Sequence, residues 1–129
     1  NTLDRDGDHR DTFRTGDELI FEIQILTLKR LEDVVISFGI FTFDQLLITS
    51  QSTEEVLPGL TLDSPRILRC HVKCDALMPG NFSINVKAHK TGRIIFKRYK
   101  AATFSIRQDE GMPIKAGLFD LPCVWMNNV

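Results

Sequence analysis

The chain has 129 residues, a length typical of a single domain, with 43% hydrophobic and 26% charged residues. This composition argues against disorder, and no apolar run approaches the ~20 residues that a membrane-spanning helix needs. The net charge of −1 disfavours nucleic acid as the main partner, because phosphate binding requires concentrated positive charge.

The first fourteen residues are polar and rich in aspartate. Asp4, Asp6 and Asp8 resemble the start of an EF-hand calcium loop. The sixth loop position would, however, be His9 rather than glycine, and the twelfth would be Thr15 rather than glutamate. The pattern therefore predicts a turn at Asp6-Gly7 between two short strands.

Two alternating stretches then predict strands. After a turn at residues 15–17, residues 19–28 read as a half-buried strand, with apolar side chains on one face at Leu19, Phe21, Ile23 and Ile25. Residues 34–44 are predicted to form the central strand. Its core face carries Val34, Ile36, Phe38, Ile40 and Thr42, and its other face carries Val35, Ser37, Gly39, Phe41 and Phe43. We expect this second, mixed face to be partly open.

The remaining stretches continue the pattern. Residues 45–50 predict a short strand, residues 50–65 a long polar connection, and residues 66–74 another strand. Residues 77–80 predict a type II turn in which Gly80 has a positive φ. A strand from Asn81 and a broken or bulged strand over residues 94–106 flank a turn at Thr91-Gly92. A polar linker, 108–113, and an apolar segment, 118–125, end the chain.

Six to eight short strands separated by turns, without a convincing amphipathic helix, predict an all-β fold. We expect an immunoglobulin-like antiparallel β-sandwich forming a single domain over residues 1–129.

Cys70 and Cys74, four apart on a predicted strand, would have Cα atoms ~13 Å apart. A disulfide needs less than ~7 Å. With Cys123, these unpaired thiols favour a reducing, cytoplasmic location. Because the chain begins at Asn1, we also expect it to be cut from a longer protein.

No pattern of catalytic or metal-binding residues stands out. The histidines and cysteines show no CxxC or HxxxH spacing, and there is no GxSxG elbow or glycine-rich phosphate loop. We therefore expect a binding domain rather than an enzyme, with no metal and no cofactor.

A basic cluster surrounds Phe96 and Tyr99, as in single-stranded nucleic-acid sites. Acidic residues elsewhere balance its charge, which favours a solvated hairpin. The cluster comprises Lys90, Arg93, Lys97, Arg98 and Lys100.

The open face of the central strand is the best candidate site. If the strands that contain Val34 and Phe82 are neighbours, Ser37 and Phe41 share a surface with Asn85, Lys87 and His89. An aromatic ring beside amide, imidazole and ammonium donors suits a sugar, whose C–H face packs on the ring while its hydroxyls form hydrogen bonds. The alternative is that a loop or a partner subunit covers Phe41 and Phe43.

Three motifs resemble one family. They are Thr15-Gly16-Asp17-Glu18-Leu19 leading into an alternating strand, Leu77-Met78-Pro79-Gly80-Asn81-Phe82-Ser83-Ile84, and Gly117-Leu118-Phe119-Asp120-Leu121-Pro122 followed by Trp125. In order and spacing they resemble the C-terminal polysaccharide-binding domain of Wzt-type ATP-binding subunits, from ABC transporters that export bacterial O-antigen. Phe82 stands where tyrosine is the more usual residue.

The resemblance implies a non-catalytic carbohydrate-binding module that recognises O-antigen polysaccharide for export. It implies a homodimer formed by exchange of a C-terminal segment, here residues 112–125, with the 108–113 linker as hinge. It also implies an ATPase domain before Asn1 and, through the parent chain, a transporter membrane subunit as partner at the inner face of the cytoplasmic membrane. The alternative is a protein-interaction or dimerisation sandwich without sugar binding.

Overall fold

Residues 1–108 are described by the computed structural model, and the C-terminal motif, Cys123 and the 112–125 segment lie outside them. The described residues form nine strands and one short 3-10 helix, Cys74–Ala76. The strands are β1 (Thr2–Leu3), β2 (Thr12–Arg14), β3 (Glu18–Ile25), β4 (Leu31–Thr42), β5 (Leu47–Ser52), β6 (Leu60–Leu62), β7 (Arg66–Lys73), β8 (Gly80–Lys90) and β9 (Arg93–Arg107). Within residues 1–108, no helix is long and apolar enough to cross a membrane.

The strands form two sheets, one of three strands in the order β1-β3-β7 and one of six strands. The larger sheet has the order β2-β9-β8-β4-β5, and β6 also pairs with β4. All strand pairs are antiparallel except β2 and β9, which are parallel. The predicted all-β sandwich is confirmed, and this parallel pair is the one departure from the expected antiparallel pairing in the described part.

The core lies between the two sheets. The predicted inward residues of β4 are buried, and they meet β3, where the rings of Phe21 and Phe38 are 5.2 Å apart. The alternate residues of β8 are buried against the same core, namely Phe82, Ile84, Val86 and Ala88. Because side chains alternate across a strand, the intervening residues of β4 and β8 lie on the opposite side of the six-stranded sheet.

Three expectations were wrong in detail. Residues 50–65 are not only a connection, because Leu60 and Leu62 are buried in β6, which pairs with β4. Gly80 does not have a positive φ; it begins β8 opposite Ile106, and the 3-10 helix before it contributes to the change of direction. Strand β3 is not half-buried throughout, because Ile20 and Glu22 on its second face are also buried.

Two predicted turns are confirmed, and each has a local cause. The Asp4 carboxylate accepts hydrogen bonds from the backbone N–H groups of Asp6 (2.9 Å) and Asp8 (3.0 Å), and Gly7 has a φ of 87°. Thr91 (φ 49°) and Gly92 (φ 74°) form the two-residue turn between β8 and β9. Positive φ at both central positions is the signature of a type I′ hairpin.

Candidate functional site

The pairing of β4 with β8 brings the predicted site residues together. In the observed register Val35 lies opposite His89, Ser37 opposite Lys87, Gly39 opposite Asn85, and Phe41 opposite Ser83. Directly opposed residues of antiparallel strands lie on the same face. Ser37, Phe41, Asn85, Lys87 and His89 therefore share one face of the six-stranded sheet. We call the side turned away from β3 and β7 the outer face.

The ring of Phe41 lies over Gly39 on the outer face. A Cβ atom added to Gly39 would come within 3.0 Å of Phe41 Cε2 and 3.2 Å of Leu47 Cδ1. Real Cβ atoms rarely have contacts this close, so the position of the ring depends on the absence of a side chain at residue 39. Phe41 is only partly buried. Gly39 thus leaves the space that the edge of the Phe41 ring occupies on this face.

Asn85 holds a bulge in the neighbouring strand. Between Ile84, which pairs with Ala102, and Val86, which pairs with Arg98, strand β9 contains extra residues. Asn85 is 6% exposed, and its Oδ1 accepts a hydrogen bond from the backbone N–H of Lys100 at 2.8 Å. Lys100 has a φ of 49°, in the left-handed region that non-glycine residues seldom adopt. Asn85 therefore fixes the backbone position of Lys100.

A second aromatic ring, that of Phe43, stands at the end of the face in the turn between β4 and β5. The turn is closed by the Thr42 N–H to Leu46 O bond (2.9 Å) and by the Leu46 N–H to Thr42 Oγ1 bond (3.0 Å). The Thr42 hydroxyl also bonds to Asp44, which lowers the pKa of that carboxyl group. The Phe43 side chain is 83% exposed. A well-bonded turn thus presents a large apolar ring to solvent.

Phe43 borders a pocket of about 360 Å³ on the outer face. Its volume is at the small end of the range for ligand pockets in proteins. The other polar groups around it come from β8, from β9 and from the segment before β2. Its lining comprises Asp11, Thr12, Phe43, Gln45, Asn81, Phe82, Ser83, Lys100, Thr103, Phe104 and Ser105. A larger hollow, about 1000 Å³, is lined by residues 9–14, Asp17, Arg107 and Gln108.

Ser83 is the polar group of this pocket with an unmet hydrogen bond. The residue is 5% exposed, and its Oγ has no hydrogen-bond partner in the structure. Leaving a buried hydroxyl unpaired costs about 1–3 kcal/mol, so most buried hydroxyls are paired. The neighbouring Asn81 differs, because its Oδ1 accepts a hydrogen bond from Ser105 Oγ at 2.7 Å. Ser83 is thus a buried donor and acceptor that a bound ligand could satisfy.

Ser83, Phe43 and Lys100 are not among the site residues predicted from the sequence. The burial of Ser83 depends on neighbours in β4 and β9 that no local sequence pattern reveals. Phe43 was recognised only as part of the mixed face. The position of Lys100 depends on the bulge in β9, for which the sequence signal was a broken apolar pattern. Of the predicted residues, Ser37, Lys87 and His89 remain partly exposed.

Groups suited to metal binding or covalent catalysis do not converge in the described part of the chain. Within residues 1–108, no three His, Cys, Asp or Glu side chains are grouped as metal ligands would be. Cys70 and Cys74 are free thiols, and burial, helped by Asp17 and Asp75, raises the pKa of Cys74 to about 11. A thiol with so high a pKa is protonated at neutral pH and is a poor nucleophile.

Comparison with known families identifies the family of this chain. The family described as "Wzt C-terminal domain" matches residues 2–121. The chain belongs to this family. A solved structure described as "Crystal structure of the C-terminal domain of wzt" superimposes with a TM-score of 0.76 at 13% sequence identity, covering 98% of this chain and 80% of that one. At this identity the likeness shows the fold. No curated protein matches the chain.

Proposed function

We propose that this Wzt C-terminal domain is a carbohydrate-binding module whose outer face binds the O-antigen polysaccharide that an ABC transporter exports. The proposal rests on one observation above the others. A buried, unpartnered hydroxyl, Ser83 Oγ, borders a pocket whose rim carries the exposed ring of Phe43. A sugar can interact with both features, because its hydroxyls form hydrogen bonds with polar groups and its C–H face packs on an aromatic ring.

The rest of the outer face supports the same function. The Phe41 ring packs against Gly39, and Ser37, Lys87 and His89 on the same face add hydroxyl, ammonium and imidazole groups. In this proposal the pocket holds one sugar unit, and the strip between β4 and β8 holds the units that follow. Asn85 contributes by positioning Lys100, while Phe43 and Ser83 contact the sugar.

The family assignment supports the wider setting of the proposal. The domain would act without catalysis, as the recognition part of an ATP-binding subunit, at the inner face of the cytoplasmic membrane. Its partners would be the polysaccharide, a second copy of the chain and, through the parent protein, the membrane subunit of the transporter. Exchange of residues 112–125 between two copies stays a prediction, because this segment lies outside the described residues.

The test is binding of polysaccharide from the source strain to the purified domain and to two variants. Ser83→Ala should weaken binding by about fivefold to tenfold, the value of one hydrogen bond. It should also raise the melting temperature, because it removes a buried hydroxyl with no partner. Phe43→Ala should weaken binding by about tenfold or more and leave the melting temperature unchanged, since the ring is exposed.

The matched control is Phe96→Ala. Phe96 is 53% exposed, and its partner in the sheet is Ala88, whose side chain faces the core, so Phe96 is not on the outer face. Its removal should not alter sugar binding. Calorimetric titration gives the affinities and thermal unfolding gives the melting temperatures. Failure of the unmodified domain to bind its own polysaccharide at any concentration would refute the carbohydrate function.

One observation favours a protein-interaction function. Ile94, Ile95 and Phe96 are 42–53% exposed at the tip of the β8–β9 hairpin. Neighbouring exposed apolar side chains mark contact surfaces more often than free surfaces. If this tip forms a contact with a second copy, Phe96→Glu should shift sedimentation toward the monomer without affecting sugar binding. An unchanged sedimentation profile would remove this observation as support for a contact.

A further inference from the structure

The charges of this chain are distributed unevenly. Residues 76–108, which contain all of β8 and β9, hold seven of the 16 lysines and arginines and none of the 17 aspartates and glutamates. The seven are Lys87, Lys90, Arg93, Lys97, Arg98, Lys100 and Arg107. The net charge of −1 therefore conceals a strongly basic pair of strands beside an acidic remainder. Such segregation creates a positive potential over one surface even in a nearly neutral protein.

The register places three of these cations at the candidate site. Lys87 lies opposite Ser37 on one side and directly opposite Lys97 on the other. Lys100 borders the pocket that contains Ser83. Outward residues of a strand are spaced by two positions, so Ser83 and Lys87 are about 13 Å apart along β8. The cations thus extend from the pocket along the strip assigned above to the following sugar units.

No Asp or Glu within residues 1–108 forms an ion pair with Lys87, Lys97 or Lys100, although Asp11 borders the same pocket as Lys100. Like charges directly opposite each other on neighbouring strands destabilise a sheet, and the Lys87–Lys97 pair has this arrangement. The ion pairs found within residues 1–108 involve Arg30, Arg69 and His71 instead. Lys97 Nζ lies 4.5 Å from the centre of the Tyr99 ring, which holds the ammonium group in place without cancelling its charge. A bound anion would relieve the repulsion.

We propose that the polysaccharide bound by this face is anionic, carrying carboxylate or phosphate groups that contact Lys87, Lys97 and Lys100. This inference depends on the proposed carbohydrate function and adds the charge class of the ligand. Single-stranded nucleic acid is the competing polyanion. It is less well matched, because base stacking needs free ring faces, and the Tyr99 ring already carries the Lys97 ammonium.

The test compares the source-strain polysaccharide before and after neutralisation. One sample is treated with carbodiimide and borohydride, which reduces carboxylates to alcohols, and another with hydrofluoric acid, which removes phosphate. One of the two treatments should weaken binding by about tenfold, the value of a hydrogen bond to a charged group, and the effective treatment identifies the anion. The advantage of the untreated polymer should vanish near 1 M salt, where charges are screened within ~3 Å.

Each outcome separates the two proposals. If the native polysaccharide binds and neither treatment nor salt weakens it, the anionic ligand is refuted and the carbohydrate function stands. If the native polysaccharide does not bind at all, both proposals fail. If single-stranded DNA competes as strongly as the native polymer, the basic face recognises charge in general, and a specific acidic polysaccharide is refuted.

Lysine variants locate the contact. Lys87→Gln and Lys97→Gln should each weaken binding of the native polymer by about fivefold to tenfold and leave binding of the neutralised polymer unchanged. Lys29→Gln is the control, since Lys29 is exposed in the connection between β3 and β4. A merely structural role for Lys87 or Lys97 would weaken binding of both polymers equally, and that result would refute the assigned contact.

Discussion

The two sheets differ in whether their polar side chains have partners within the chain. On the three-stranded sheet, charges come in pairs that bridge β3 and β7. The Glu22 carboxylate meets Arg69 at 2.9 Å, and Glu18 meets His71. On the outer face of the six-stranded sheet, Lys87 lies opposite Lys97, and the buried Ser83 hydroxyl has no partner. The first surface pairs these side chains within the chain, whereas the second leaves Lys87, Lys97 and the Ser83 hydroxyl without an ion-pair or hydrogen-bond partner in the described part.

This difference is the reason for proposing the outer face as the ligand-binding surface. Paired charges contribute to stability through the pair itself and offer little to a binding partner. An unpaired buried hydroxyl and two facing ammonium groups lower stability in the free protein, and they gain partners when a polar ligand binds. Substitutions of paired charges on the three-stranded sheet should therefore lower stability and leave binding unchanged. Removal of the Ser83 hydroxyl or of the Lys87 charge should instead raise stability and weaken binding, whereas substitution of the residues that support the outer face should lower both.

Asn85→Ala has the largest expected effect, because Asn85 is a buried residue of the outer face that accepts a hydrogen bond from the backbone of β9. The substitution leaves the Lys100 N–H without its 2.8 Å acceptor and should destabilise the domain by about 1–3 kcal/mol. It should also weaken polysaccharide binding, since the bulge that places Lys100 at the pocket is released. Chemical denaturation and calorimetric titration measure the two effects.

The control for this substitution is Asn81→Ala, which removes a hydrogen bond between exposed side chains and should cost less than about 1 kcal/mol. Equal destabilisation by both alanines would show that the bulge does not depend on Asn85.

Gly39→Ala tests the support beneath Phe41. The new Cβ would meet the Phe41 ring at 3.0 Å, so the ring must move, at a net cost of about 1 kcal/mol. Polysaccharide binding should weaken as the ring leaves the face. Gly80→Ala is the matched control, because its Cβ would meet only the Phe82 ring at an ordinary 3.8 Å. A Gly39→Ala variant with unchanged affinity would exclude Phe41 from the sugar contact.

Glu22→Gln breaks the pairing on the opposite sheet. Hydrogen bonds from Gln24 and then Arg69 hold the pKa of Glu22 below its ordinary value of 4.5. A lowered folded pKa means that the carboxylate stabilises the fold above pH 4.5 and that this contribution is lost as pH falls through the folded value. The variant should melt a few degrees lower than the wild type at pH 7, and the difference should shrink as the pH falls through the folded pKa of Glu22.

Polysaccharide binding should not change in Glu22→Gln, because the residue lies on the other sheet. Glu32→Gln is the control, since its 3.1 Å pair with Arg30 is exposed and such pairs contribute little. A difference in melting temperature that did not shrink as the pH was lowered would mean that the charge of Glu22 is not the cause.

The sequence predicted the architecture and the faces of β4 and β8, because side-chain alternation is a local property that the strands retain. It also predicted the type of turn chemistry at Asp6-Gly7 and at Thr91-Gly92, where glycine supplies a positive φ. It did not predict β6, since three residues give too short a pattern, or the role of Gly80, whose conformation is set by pairing with Ile106.

The candidate site was predicted only in part, for the same reason. Ser37, Phe41, Asn85, Lys87 and His89 share a face once β4 and β8 are neighbours, and that adjacency was assumed correctly. The unpaired state of Ser83 and the position of Lys100 depend on β9, whose bulge alters the register. A bulge changes which residues meet across two strands, and the sequence of either strand alone does not contain that information.

Lys87→Gln has the smallest expected effect on stability, and its direction is the informative part. Removing one of two facing ammonium groups should stabilise the free domain by a few tenths of a kcal/mol. The same change should weaken binding of an anionic polysaccharide, so stability and affinity move in opposite directions. Denaturant unfolding of Lys87→Gln, Lys97→Gln and the double variant measures the repulsion as a coupling energy. If the stability gained by the double variant equalled the sum of the two single gains, the two lysines would not interact. The unpaired Ser83 hydroxyl would then be the remaining destabilising feature that distinguishes the outer face from the paired charges of β3 and β7.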